Sequence, residues 1–353
     1  DTVQKVFQVK PGQTLEMNMR SGGEISVSGW KEEKVQVQIF FENGKPADWD
    51  VRMDYRGNRV RIETELKVKA SGSRRLKVEC RVPARFDLNM VTMGGDLNVA
   101  DVEGRIRGNT MGGTLDLERL MGDLDLETMG GDITLKDSKV DGRVHTMGGR
   151  VLIEDVTGNV KGTSMGGNVI YRNVAASGES ASDEVRISTM GGDINVDEAP
   201  GGASVKTMGG DIHIRGAGSH VEAETMGGDI RVDRVDGWIE AATMGGNVDV
   251  TITDLSGSGN RDATLTSMGG EITLTVPPDF SMEVDIELAY TRGHEGKYKI
   301  ISDFSLEMEE SEEWETHKGP DRKIIYGTGR TGGGENRIVI RTVNGNVLLK
   351  KAR

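Results

Sequence analysis

Met-Gly-Gly, preceded each time by Thr or Ser, occurs ten times between Met93 and Met268, and successive copies are eighteen residues apart in all but two intervals. The methionines are Met93, Met111, Met129, Met147, Met165, Met190, Met208, Met226, Met244 and Met268. The exceptional intervals, 25 and 24 residues, are the same period with seven and six residues inserted. A fixed period of this size describes one supersecondary unit stacked on its neighbours, each unable to bury its apolar face alone.

Counting from Met as zero, apolar residues recur at +4, +6, +9, +13 and +15, as in Leu115, Leu117, Leu120, Leu124 and Leu126. Modulo nine these offsets collapse onto 0, 4 and 6; modulo six they scatter, which argues against a three-sided hexapeptide solenoid. Spacing by two within each half gives a short strand with alternate side chains inward. Glycine at +2, and at +11 as Gly104, Gly122, Gly158, Gly201 and Gly237, supplies the corners between strands. The expectation is an all-β, parallel β-solenoid with 18-residue coils made of two nine-residue halves, rising about 4.8 Å per coil.

By the same rule the ten methionines are expected in the core at a corner, in the slot filled nine residues later by Val102, Leu120, Val156 and Val235. The alternative, a metal-binding methionine ladder, lacks the His and Cys partners that soft-metal sites recruit. No cofactor or metal is assigned.

Alternation before the array, at Val35, Val37 and Ile39, at Val60 and Ile62, and at Leu76 to Val82, makes residues 1–87 an N-terminal β cap region. Within it Ser21 to Val27 is a degenerate copy of the repeat corner, and Pro83 marks the step into the array of residues 88–276. After Pro277 and Pro278 the register is lost, and it returns at Ile338 to Leu349 as a last coil. Residues 277–353 are therefore a C-terminal β region. It contains an excursion over 290–334, acidic from Glu307 to Glu315 and glycine-rich from Gly327 to Gly334, read as hairpins or a protruding loop.

Fifty glycines and 4% aromatics suit a chain with many corners. The net charge of −13, without a basic cluster, excludes nucleic acid as a partner, and no apolar stretch is long enough for a transmembrane segment. The chain starts at Asp1, which is consistent with removal of an export signal, and the expectation is a protein outside the cell or on its surface. Cys80, the single cysteine, alternates with Val78 and Val82 as a buried strand residue.

The residue after Gly-Gly is often acidic, as at Asp96, Asp132, Asp193, Asp211, Asp229 and Glu271, with Asp123 after Met121-Gly122. These form a column of carboxylates roughly 5 Å apart, near the separation used by retaining glycosidases. Thr114, Arg150, Asn168 and Asn247 interrupt it, and repetition dilutes any unique acid/base pair. Calcium-binding β-rolls also have nine-residue halves, but their motif needs a second glycine where this chain places Ile133. The Thr/Ser column from Thr92 to Ser267 is read as stacked hydroxyls bonding one another and nearby backbone; the mixed residues at +8 argue against ice binding. Histidines 145, 213, 220, 294 and 317 are scattered and read as surface residues. No residue receives a catalytic assignment, and the chain is expected not to be an enzyme.

The block Val82-Pro83-Ala84-Arg85-Phe86-Asp87-Leu88 leading into Gly94-Gly95-Asp96, the Asp-Val-x-Gly half-repeats at 101–104 and 155–158, and the ending Thr342-Val343-Asn344-Gly345-Asn346-Val347 resemble the bacterial "putative adhesin" family of β-strand-repeat proteins of unknown function. The resemblance implies a parallel β-solenoid at or beyond the cell envelope, with adhesion or scaffolding as its role and no established enzymatic activity.

The leading expectation is an exported, non-enzymatic structural protein whose rod-shaped subunits self-associate, into filaments in one form. The last strand, with Val343, Val347 and Leu349, reads as an uncovered terminal coil, and the segment with Val3, Phe7 and Val9 as a donor strand to complete it. The alternative is a monomeric surface adhesin or envelope scaffold that binds a glycan or a protein through the 290–334 arm. A carbohydrate-active β-helix enzyme is the weaker alternative.

Overall fold

In a computed structural model of the chain, residues 1–42, 44–67, 74–175, 184–253, 259–315 and 320–352 are described. Among them there is no α-helix, only one three-residue 3-10 turn at Pro46–Asp48. They fall into two units, Asp1–Ser177 and Gly178–Arg353.

In the first unit each regular coil is two strands and two corners, and equivalent strands pair in parallel at an offset of eighteen. Leu115 lies opposite Leu97 on one side and Ile133 on the other, and Ile106 lies between Leu88 and Leu124. The interior is the thin slab expected from the repeat, with Leu97, Leu115, Ile133, Val151 and Val169 all fully buried. Where one wall carries Gly162, Tyr171 crosses from the other, and its hydroxyl accepts the Gly162 N–H and donates to the Val160 carbonyl.

The two corners of a coil are built differently, and this decides which face each residue takes. In the first unit, after +6 the chain passes through a left-handed residue at +8, namely Asp101, Arg119, Asp137, Asp155 and Asn173, with φ between 47° and 61°. That reversal places two successive side chains outward and returns +9 to the core, so Val102, Leu120 and Val156 are buried. The second unit returns +9 to the core at Ala199, Ala217 and Val235 without that conformation. After +15 strict alternation continues, the hydroxyl residue at +17 points inward, and Met at the next position points out.

The sequence-based placement of the methionines in the core is therefore corrected. Met93, Met111, Met129, Met147 and Met165 in the first unit, and Met190, Met208, Met226, Met244 and Met268 in the second, are 40–54% exposed. The reduction modulo nine treated two different corners as one.

The N-terminal cap stacks out of chain order. Ile25 pairs in parallel with Leu97 and with Val78, so the degenerate corner at Ser21 to Val27 forms a true coil between the array and a further coil from Arg59–Leu66 and Arg75–Pro83. Outside this, Trp49–Arg56 pairs antiparallel with Arg59–Leu66, Lys34–Glu42 with Arg75–Pro83, and Thr2–Gln8 with Lys34–Glu42.

The second unit ends by the same device. The last coil, Asn336–Val343 and Val347–Lys351, pairs in parallel with Ala263–Ser267 and Ile272–Val276 on one side. On its other side it pairs in parallel with Met282–Thr291 and Ile300–Ser302, and antiparallel Arg322–Thr331 and Glu307–Glu310 follow. Arg261, in the six-residue insertion, is buried against Asp236 at 2.8 Å and donates its backbone N–H to Asn336 at 3.0 Å, tying the insertion to the last coil.

Three expectations change as a result. The 290–334 excursion does contain a hairpin, Glu307–Glu310 against Arg322–Thr331, but it is part of a covering layer over the last coil and not a protruding loop; residues 316–319 lie outside the described residues. The last coil is not open: Val347 and Leu349 are fully buried between two strands, and Val343 is half-buried. Phe7 and Val9 are buried and Val3 half-buried, in or just after a strand already paired with Lys34–Glu42, so this segment is no free donor.

Candidate functional site

The columns that invited a chemical reading are mostly consumed by the fold. Thr110, Thr128 and Thr146 donate their hydroxyl hydrogens to the carbonyls of Gly95, Gly113 and Gly131, at 2.7–2.9 Å, and Thr207, Thr225 and Thr243 do the same in the second unit at 2.9 Å. Each of these hydroxyls also accepts the N–H of the second glycine of its own corner. The hydroxyls thus bond glycine backbone and not one another, and as buried groups they are unavailable to a ligand.

The carboxylate column has a similar task. Asp96 Oδ1 accepts the backbone N–H of Thr114, Asp132 that of Arg150, Asp211 that of Asp229 and Asp229 that of Asn247, at 2.6–2.8 Å. Asn247 takes the same part toward Glu271, so an uncharged amide serves as well as a carboxylate. A repeated side-chain acceptor for the next coil's corner explains the acidic preference without an acid/base pair. Among the described residues no group of three His, Cys, Asp or Glu side chains is placed to hold a metal ion.

The histidines are partly exposed, each with a neighbour: His145 bonds Thr163, His213 bonds Asp233, His220 stacks on Trp238 and bonds Glu184, and His294 bonds Thr291. His317 lies outside the described residues. Cys80 is 2% exposed, and burial pushes its thiol well above the usual range, away from the reactive thiolate.

What the fold leaves open is the outer face of one sheet in the first unit, a concavity of about 600 Å³. Two rows of outward side chains cross it, one residue per strand. Gln38, Glu79, Ser26, Asn98, Asp116 and Thr134 make one row. Gln36, Arg81, Ser28, Ala100, Glu118 and Lys136 make the other. The hollow follows from side-chain size, with Ser26, Ser28 and Ala100 in the middle and long side chains on both flanks. Asn98 is oriented by contacts of its Nδ2 with Ser26 and Glu24 at 3.3 and 3.4 Å. Both rows carry hydrogen-bond donors and acceptors, with Ala100 the apolar exception, and no aromatic residue lines the hollow. The sequence reading missed this face because its residues come from segments far apart in the chain, joined by the out-of-order cap.

The second open feature is the methionine corner. The methionines stack coil on coil, as shown by Met129, Met147 and Met165 donating their N–H groups to Thr110, Thr128 and Thr146.

A parallel β-repeat protein with eighteen-residue coils and antiparallel caps is the class these observations define. The chain belongs to the Toastrack DUF4097 family, whose model matches residues 4–237, about two thirds of its length. No curated protein matches it. Among solved structures it is similar to a "putative adhesin" of Parabacteroides distasonis, at 15% identity over 71% of this chain and 97% of that one, with a TM-score of 0.42. A "putative adhesin" of Parabacteroides merdae is similar at 11% identity over 72% and 96%, TM-score 0.37. A "putative lipid binding protein" of Parabacteroides distasonis is similar at 12% identity over 72% and 97%, TM-score 0.36. No helix of the described residues is long and apolar enough to cross a membrane.

Proposed function

We propose that this protein is a non-enzymatic binding module of the cell surface or extracellular space, and that the concave polar face of its first unit takes a hydroxyl-rich polymer such as a glycan. The observation that carries the reading is the pair of side-chain rows from Gln36 and Gln38 to Thr134 and Lys136, which surround a hollow with both donors and acceptors. A hydroxyl both donates and accepts, so a polyol matches such a surface without a net charge of its own. The volume of about 600 Å³ falls within the usual range of ligand sites.

A role without turnover is supported by the columns above, whose carboxylates and hydroxyls serve neighbouring backbone. The uncovered last coil that motivated self-assembly into filaments is absent, because Met282–Thr291 and Ile300–Ser302 pair with it in parallel and antiparallel strands follow them. The outermost strand there, Glu307–Glu310, is exposed along its length and three of its four residues are glutamates, a composition that discourages edge-to-edge pairing.

Binding to a panel of immobilised polysaccharides, compared between the native chain and Ala100→Arg, tests the reading. Arginine at position 100 fills the middle of the hollow from an outward position, so binding is expected to disappear while the thermal midpoint stays put. Equal binding by the variant, or no binding to any glycan by the native chain, would remove this face from the account.

A further inference from the structure

At the inward +4 position the chain treats aliphatic residues as interchangeable. The +4 column runs Leu97, Leu115, Ile133, Val151 and Val169 in the first unit and Ile194, Ile212, Ile230, Val248 and Ile272 in the second. Outward positions drift further, with Asp, Thr, Arg, Asn and Glu all found at +3. Against this drift Met holds all ten of its copies, although its side chain is half in solvent and carries no core packing. The fold itself does not ask for Met, since Ser21 and Val343 occupy the equivalent corner in the flanking coils. Nor is apolarity alone retained, because Leu, Ile or Val would then appear as they do elsewhere.

The glycine that follows is a second, independent observation. The second glycine of each corner is sterically required: a Cβ on Gly131 would lie 2.1 Å from the Gly113 carbonyl oxygen, and one on Gly228 2.0 Å from that of Gly210. The first glycine is not. A Cβ on Gly94 or Gly112 would meet nothing within 4 Å, one on Gly130 or Gly148 would make ordinary contact at 3.5–3.6 Å, and none of these four has a left-handed φ. It is nonetheless glycine in all ten copies. The two residues that the architecture leaves free are therefore as unvarying as the glycine it requires, and together they make a column of thioethers with a bare strip beside it.

From this we infer that the methionine corner of each unit binds soft monovalent cations, Cu(I) or Ag(I), through thioether sulfurs of successive coils. Thioethers are soft, uncharged donors that favour such ions over zinc or calcium. In-register stacking sets neighbouring methionine backbones about 4.8 Å apart, and three flexible torsions let two or three sulfurs converge on one ion. The strip of first glycines leaves room for the side chains to swing over the corner. The inference is independent of the glycan reading, which concerns a different face.

Silver titration in chloride-free nitrate buffer, followed by calorimetry and by the methionine methyl resonances, tests it on the full chain. Expected are saturable binding of more than one ion per chain, shifts confined to the ten corner methionines, and persistence of binding at about pH 5, since a thioether has no proton to lose. The triple variant Met111→Leu, Met129→Leu, Met147→Leu should lose about half of the bound silver with an unchanged β spectrum, whereas an apolar docking stripe would be indifferent to leucine. Cys80→Ala should bind as the native chain does. Unshifted methyl resonances, full binding by the leucine variant, or loss of binding in the Cys80 variant would each overturn the assignment.

Discussion

Thr128 donates its hydroxyl hydrogen to the carbonyl of Gly113 in the preceding coil at 2.7 Å, and its oxygen receives the N–H of Gly131 in its own corner at 3.3 Å. One buried hydroxyl thereby links two coils at a corner where the strand ladder is interrupted. Thr128→Val keeps the shape and removes both bonds, so it should cost about 1–3 kcal/mol in denaturant unfolding. Thr128→Ser should stay close to the native chain, since Ser164 makes the same pair of contacts.

The neighbouring glycines give a sharper contrast. Gly131→Ala would push a methyl group against the Gly113 carbonyl and should destabilise by about 3 kcal/mol or more. Gly130→Ala, one residue earlier, meets its nearest atom at 3.6 Å and should change the unfolding midpoint little. Similar losses for the two variants would refute the division of the corner into a required and a free glycine.

Asp137 sits in the left-handed region with φ 47° at the other corner. A β-branched residue tolerates that conformation poorly, so Asp137→Val should destabilise by about 1–2 kcal/mol. Asp137→Gly should be neutral or slightly stabilising. Thermal unfolding of the pair decides whether the reversal at +8 depends on this backbone conformation.

Tyr290 lies 4% exposed in the C-terminal covering layer and hydrogen-bonds Glu310. The Glu310 carboxylate, aided by burial, pushes its phenol up to about 12. A raised folded value means that the unfolded chain ionises first, so the contribution of Tyr290 is intact below its ordinary value of 10 and fades as pH rises toward 12. Alkaline unfolding should show this loss in the native chain, and Tyr290→Phe should lack it.

Removing residues 1–9 would take Thr2–Gln8 off the Lys34–Glu42 strand, whose alternate residues Val35, Val37 and Ile39 are fully buried. The uncovered edge should then promote association, visible as increased light scattering with concentration. Unaltered scattering would mean that this strand protects nothing.

The sequence by itself determined the repeat, its period, the two-strand coil and the thin aliphatic slab, because inward alternation and corner glycines leave a direct trace in residue order. It also disclosed the coil at Ser21 to Val27 and the last coil at Ile338 to Leu349. Tertiary structure decided the rest. Whether Met111 faces the core or solvent depends on the backbone reversal at the preceding +8 corner and its absence at the Met corner, and a residue such as Arg119 does not announce a left-handed conformation. Covering of the last coil depends on strand pairing between segments some fifty residues apart, such as Ile300 with Val347. The polar hollow required the same out-of-order stacking, which sets Ser26 beside Glu79 and Asn98. Periodicity reports which residues share a face within a coil; which coil becomes the neighbour at each end is fixed by burial of exposed edges, and that is a property of the assembled chain.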